Sequence, residues 1–319
     1  MKSAFTAIAA AAGMALAGAP ALAQVLVNTS QHGSGNKSFV EQRDSNDDAQ
    51  VSVTQTGTGN AIGDPGLRDG GIVQIATVAR VHVRQDGSAN VGNILQDHAD
   101  RSDNNLLQAG QGNVAAFRQD NVNSSTLTLE QRGSRNYASV SQKDIPTFSV
   151  QARQAGSDNR IVVLHYFSGY GGPEVAQAGS FNQVLIDQSE AAYSFVRVDQ
   201  AGNLNDAYVR QNGTTFTVDQ SIVQRGERNV ARADESGQVN GSTIVQAGNE
   251  NVASARSILN GSVSDIIQTG NLNRATALQV GVNGGTASGN FSRIAQTGNG
   301  LSASVQQTGS GNRSDISQR

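Results

Sequence analysis

The sequence has no cysteine and no tryptophan, four prolines, two methionines and only 4% aromatic residues in 319. Without cysteine there is neither a disulfide framework nor thiolate chemistry, so stability in an exported chain would have to come from another source. So few aromatics make a conventional globular core hard to fill. Charge of one sign is missing too: 23 Lys and Arg stand against 26 Asp and Glu, a net −3. That balance argues against the basic footprint of a nucleic-acid binder, and it leaves little repulsion to oppose self-association. No run after residue 23 is long and apolar enough for a helix to span a bilayer, so the chain is expected not to be membrane-embedded.

The single apolar stretch lies at the start. Lys2 opens it, Ala7 to Ala17 form its small apolar body, and Ala21-Leu22-Ala23 closes it with a small-x-small pattern. This reads as a secretory signal peptide over residues 1–23, with residues 24–319 as one exported domain. Gly13, Gly18 and Pro20 break the run and disfavour a transmembrane anchor.

What the chain does have is glycine, glutamine and asparagine in strict phase. The frame is Q-x-G-x-x-N-x5-Q. Its first glutamine recurs as Gln31, Gln55, Gln85, Gln108, Gln131, Gln154, Gln177, Gln200, Gln224, Gln246, Gln268, Gln296 and Gln307. Glycine follows two residues on in every copy: Gly33, Gly57, Gly87, Gly110, Gly133, Gly156, Gly179, Gly202, Gly226, Gly248, Gly270, Gly298 and Gly309. The sixth position holds Asn36, Asn60, Asn90, Asn113, Asn136, Asn159, Asn182, Asn205, Asn229, Asn251, Asn273 and Asn312, with Leu301 the exception. The closing glutamine is Gln42, Gln96, Gln119, Gln142, Gln188, Gln211, Gln279, Gln307 or Gln318, and is replaced where Gly66, His165, Glu235 and Ser257 stand. From Gln85 to Gln200 the step is 23 residues five times running, which is an internal repeat and not biased composition. The last step, to Gln307, is 11, because Gln307 closes one frame and opens the next.

Two apolar columns flank the frame. Two residues before the first glutamine stand Val53, Val83, Leu106, Leu129, Ile222 and their equivalents, with Thr29 the polar case. Nine residues after it stand Val40, Ile94, Phe117, Val140, Val163 and theirs, with Asp64 the polar case; Val305 and Ile316 end this column. Neighbours such as Arg84, Glu130, Asp187 and Arg210 are often charged, as a period of two with one buried face requires. Each unit therefore reads as strand, turn, strand, with the glycine permitting positive φ at the turn.

Such a unit cannot bury its apolar residues alone, so neighbours must stack at about 4.8 Å. The expected fold is all-β: a β-solenoid of about 13 coils, roughly 60 Å long, with amyloid-like cross-β stacking. Equal positions then lie above one another, and stacked Gln and Asn amides donate to one side and accept from the other. The ladder glutamines and asparagines are accordingly expected to be inward and structural. Gly and Pro clusters at Gly63 to Gly71, Gly169 to Pro173 and Gly281 to Gly285 mark loops projecting from the wall.

Catalytic chemistry is not legible. His32, His82, His98 and His165 occupy unrelated phases with no ligand spacing, so no metal or cofactor is expected. The serines form no G-x-S-x-G motif, and the calcium-binding nonapeptide of other solenoids is absent. Acidic groups at Asp44, Asp47, Asp48 and at Asp97, Asp100, Asp103 fall in turns, where solvation explains them. An ice-binding rod would need a flat file of threonine, but one outward column runs Arg118, Ser141, Leu164, Asp187, Arg210. The chain is not expected to be an enzyme.

A signal peptide followed by tandem units of this kind, with alanine at the eighth position in Ala115, Ala138, Ala207, Ala231, Ala253, Ala275 and Ala303, resembles the curlins, the subunits of bacterial curli fibres. The resemblance covers almost the whole chain after residue 23. It implies export through a dedicated outer-membrane channel, partnership with a nucleator subunit, and extracellular self-assembly into functional amyloid for biofilm and adhesion. Independently, a solenoid without caps exposes open strand edges at both ends, and a head-to-tail contact that does not close gives a filament. The competing expectation is a monomeric surface solenoid that binds a carbohydrate or host ligand through its loops.

Overall fold

Alternation decides the local structure. In Ser125–Ser134, Ser125, Leu127, Leu129 and Gln131 are buried while Thr126 and Arg132 face outward. The next strand, Tyr137–Ile145, buries Ala138, Val140, Gln142 and Ile145. Side chains of period two make each strand one wall of a narrow core. The computed structural model describes residues 26–43, 49–63, 71–75, 78–167, 169–213, 218–258, 261–281 and 289–319. The proposed signal peptide lies outside the described residues, as do most of the loops at Gly63 to Gly71 and Gly281 to Gly285. Among the described residues no helix is long and apolar enough to cross a membrane.

The strands form a parallel β-solenoid in which like positions pair in register. On the face that carries the first glutamine of each frame, here the opening face, Leu129 lies between Leu106 and Ala152, and Gln131 between Gln108 and Gln154. On the opposite, closing face Val140 lies between Phe117 and Val163, and Gln142 between Gln119 and His165. Among the described residues the opening face has thirteen strand levels, from Leu26–Ser34 to Arg313–Gln318, and the closing face twelve, ending at Ser302–Thr308. The long strand Val91–Gln111 contributes to both, turning the corner between them.

The core is the strip between the faces. Leu106, Leu129, Val140, Val163, Ile186, Ile222 and Ile266 are each at most 1% exposed. Fully burying one such side chain contributes about 1.5–3 kcal/mol, but a single coil contributes few of them, so stacking is what makes the core continuous. Towards the far end of the chain the column four residues before each glutamine changes from Val150 and Val196 to Gln220, Ser242, Ser264 and Ser292, and the facing column changes from Val209 to Ala233, Ala255 and Ala277 before returning to Val305.

Four positions differ from the frame read off the sequence. Ile72, not Asp64, fills the closing-face apolar column between Val40 and Ile94, and Gln74, not Gly66, stands between Gln42 and Gln96. The insertion before Gly71 shifts the phase, and burial restores it. Ile316 belongs to the opening-face column above Ile294. Gln307 lies only on the closing face, paired with Gln279, while Gln318 continues the opening ladder above Gln296.

Candidate amide-ladder site and its two end surfaces

A buried primary amide in a core this thin is costly unless all its groups are bonded. The stack solves this geometrically. On the opening face, each Gln Nε2 donates to Oε1 of the next coil, from Gln31 to Gln55 and on through Gln85, Gln108, Gln131, Gln154, Gln177, Gln200, Gln224, Gln246, Gln268 and Gln296 to Gln318, at 2.6–2.9 Å. The second Nε2 hydrogen crosses the core, as from Gln131 to the Val114 carbonyl at 3.0 Å. One side chain thus links its own column and sews the two faces together.

The asparagines repeat the device at the turn. Asn136 donates its backbone N–H to Asn113 Oδ1 at 3.1 Å, and its Nδ2 to the Gly156 carbonyl of the next coil at 3.0 Å. The same pattern runs from Asn36 through Asn60, Asn90, Asn113, Asn159, Asn182, Asn205, Asn229 and Asn251 to Asn273. The glycines make room for it. A Cβ on Gly133, whose φ is +107°, would sit 2.0 Å from the Gly156 carbonyl oxygen. Gly133→Ala is therefore expected to unfold its coil well before the rest. Gly213→Ala, at φ +65° with nothing within 4 Å, should lose only the about 1–2 kcal/mol of left-handed backbone. Thermal unfolding of the two variants side by side checks this, and equal losses would remove the contact explanation.

The closing ladder is interrupted. Gln42, Gln74, Gln96 and Gln119 donate in sequence, ending on Gln142 Oε1, and Gln188 donates to Gln211 at 2.6 Å. Between them His165 sits fully buried, and its two ring nitrogens, Gln142 Nε2 and Gln188 Oε1 have no hydrogen-bond partner. Burial drives its pKa down to about 3, so the ring is neutral. It packs instead on Phe148, centroids 3.6 Å apart. Phe148 takes a place that serine holds one coil before and two coils after it, where Ser125 Oγ donates to Gln142 and Ser194 Oγ to Gln211. The ladder is broken again at Glu235, which lies between Gln211 and Ser257 with both carboxyl oxygens unpartnered. It resumes when Gln279 donates to Gln307 at 2.9 Å.

The frame missed Asn240 and Asn290, which form a second column at the other turn, and the structure assigns Asn312 to that column: Asn312 N donates to Asn290 Oδ1 at 3.1 Å and Asn290 Nδ2 to the Gly309 carbonyl at 2.8 Å. The signal was present in Glu235-Ser236-Gly237-Gln238-Val239-Asn240, which keeps the frame with Glu in place of Gln. Outside, charged side chains pair between coils, as Arg135 does with Asp158 at 2.7 Å, holding that carboxyl below its usual range. The other histidines take no part in the ladders: His32 is exposed and His98 pairs with Asp97 at 2.7 Å.

The ladders have a direction, so the two ends of the described stack are chemically different. Gln31 donates inward to Gln55 and Gln42 to Gln74, which turns their Oε1 acceptors outward. At the far end Gln318 Nε2 donates inward to the Ser302 carbonyl and Gln307 Nε2 to that of Phe291, each keeping a hydrogen for a further acceptor. These features define a parallel β-solenoid with polar internal ladders and complementary end surfaces. The family model of the curlin associated repeat matches residues 288–319, which supports a curlin-family relationship. That segment is where the two halves of a coil are most alike, Gln296-Thr297-Gly298 and Gln307-Thr308-Gly309. No curated protein matches the chain.

Proposed function

We propose that this chain is a secreted structural subunit, without enzymatic activity, that self-assembles end to end into curli-like functional amyloid fibres serving biofilm matrix and adhesion. The observation that carries this reading is the polarity of the ends: outward acceptors on Gln31 and Gln42, outward donors on Gln307 and Gln318. Head-to-tail contact repeats the internal geometry, whereas head-to-head contact would set acceptor against acceptor. A contact of that kind does not close and gives a filament. The curlin relationship supports the same role, and with it an extracellular fibre, a nucleating partner and passage through an outer-membrane channel.

The test is fibre formation by purified residues 24–319, followed with an amyloid dye, electron microscopy and fibre diffraction. Unbranched filaments with a meridional spacing of about 4.8 Å are expected. A rod that stays monomeric for days would defeat polymerisation and turn attention to the surface-adhesin alternative.

A further inference from the structure

The two faces of the solenoid are not equal. Thirteen levels on one face and twelve on the other make an odd number of half-coils, with Gln318 the last glutamine of the opening ladder and Gln307 the last of the closing one. We propose that consecutive copies in the fibre are related by a half-turn about the long axis, so that the opening face of one copy continues the closing face of the copy before it. This rests on the polymer reading above.

Register carries the inference. Gln31-His32-Gly33-Ser34-Gly35-Asn36 and Gln307-Thr308-Gly309-Ser310-Gly311-Asn312 differ at one residue of six, yet they lie on opposite faces. A half-turn sets one on the other. Gln307 Nε2 then donates to Gln31 Oε1, and Asn312 Nδ2 to the Gly33 carbonyl, as Asn290 Nδ2 does to Gly309 at 2.8 Å. Asn36 N–H donates to Asn312 Oδ1, as Asn312 N–H does to Asn290 at 3.1 Å. Gly33 stacks on Gly309, whose Cβ position now meets nothing closer than Asn312 Nδ2 at 3.7 Å.

The apolar columns agree. Val40 and Ile316 are the hydrophobic residues packed on the core but left partly exposed, and the half-turn places Val40 on Ile316 as it places Gln42 on Gln318. Val27, 45% exposed, comes to cover Ala303.

The unrotated joint fails on the closing face. The closing face would skip a level, leaving Gln42 about 9.6 Å from Gln307, twice the strand spacing and beyond hydrogen-bond reach.

Because the chain has no cysteine, introduced thiols report the joint. His32 and Thr308 both point outward, and in the half-turn their Cα atoms lie about 4.8 Å apart, within the range a disulfide bridges. Fibres of His32→Cys with Thr308→Cys are oxidised, dissolved in formic acid and run on a non-reducing gel beside fibres of His32→Cys with Arg319→Cys. A ladder of covalent multimers from the first and monomer from the second is the expected result. Multimers from the second pair, from both, or from neither while fibres form would overturn the half-turn. If the unsubstituted protein forms no fibres, the polymer reading itself falls, and the inference with it.

Discussion

Alanine in place of Gln131 is expected to lower stability by about 3–6 kcal/mol, among the largest effects of any single change in this chain. The substitution removes three hydrogen bonds: one accepted from Gln108 at 2.8 Å, one donated to Gln154 at 2.8 Å and one donated to the Val114 carbonyl at 3.0 Å. Gln108 keeps its bonds to the Val91 and Asn113 carbonyls but loses its axial acceptor. Gln108 and Gln154, whose side-chain atoms lose a partner, are fully buried, each unpaired polar group costs about 1–3 kcal/mol, and the cavity left by the side chain adds to this. The matched control is Gln151→Ala, an exposed glutamine in the adjacent strand, which should stay within about 0.5 kcal/mol. Urea unfolding of the soluble protein gives both numbers. In a one-dimensional stack the loss should also be local, with amide exchange accelerating first between Gln108 and Gln154. If both variants unfold at the same urea concentration, the ladder is not what holds the coils.

Most of this architecture is legible in the sequence because stacking enforces it. A glycine whose absent Cβ makes room for the next carbonyl, an asparagine bonded above and below, and an apolar residue on an apolar residue all require equal spacing, so they print a period. The positions that escape are those where the chain departs from the period and contacts restore it. Gln74 completes the closing ladder after an insertion that makes Gly66 look like its occupant. Gln307 carries the signature of an opening glutamine because the turns have become nearly equivalent where the coil shortens, and only its pairing with Gln279 assigns its face. His165 looks like a bare polar substitution until Phe148 is seen against it. Spacing records a rule, while such exceptions are settled by what lies next to them in space.

Glutamine at Glu235 should raise stability by about 3 kcal/mol at pH 8 and leave it almost unchanged at pH 4. Glu235 is fully buried, and burial pushes its carboxyl from 4.5 up to about 7, with the Asp234 and Asp219 carboxylates pushing in the same direction. Below pH 4.5 the group is protonated both folded and unfolded, so it costs nothing through ionisation. Between 4.5 and about 7 the folded chain holds a proton that the unfolded chain has released, and stability falls as pH rises. Above about 7 both states are ionised and the loss is complete. Asp206, raised by desolvation, adds a slope in the same direction. A neutral amide at position 235 removes the slope that Glu235 contributes. Urea midpoints at pH 5, 6, 7 and 8 for the two proteins decide the matter: converging curves at acid pH are expected, and curves that stay parallel would show that Glu235 is not the titrating group. Since every other glutamine ladder step in this protein is an uncharged amide, histidine or serine, the one carboxyl in the column is where stacking and ionisation compete directly.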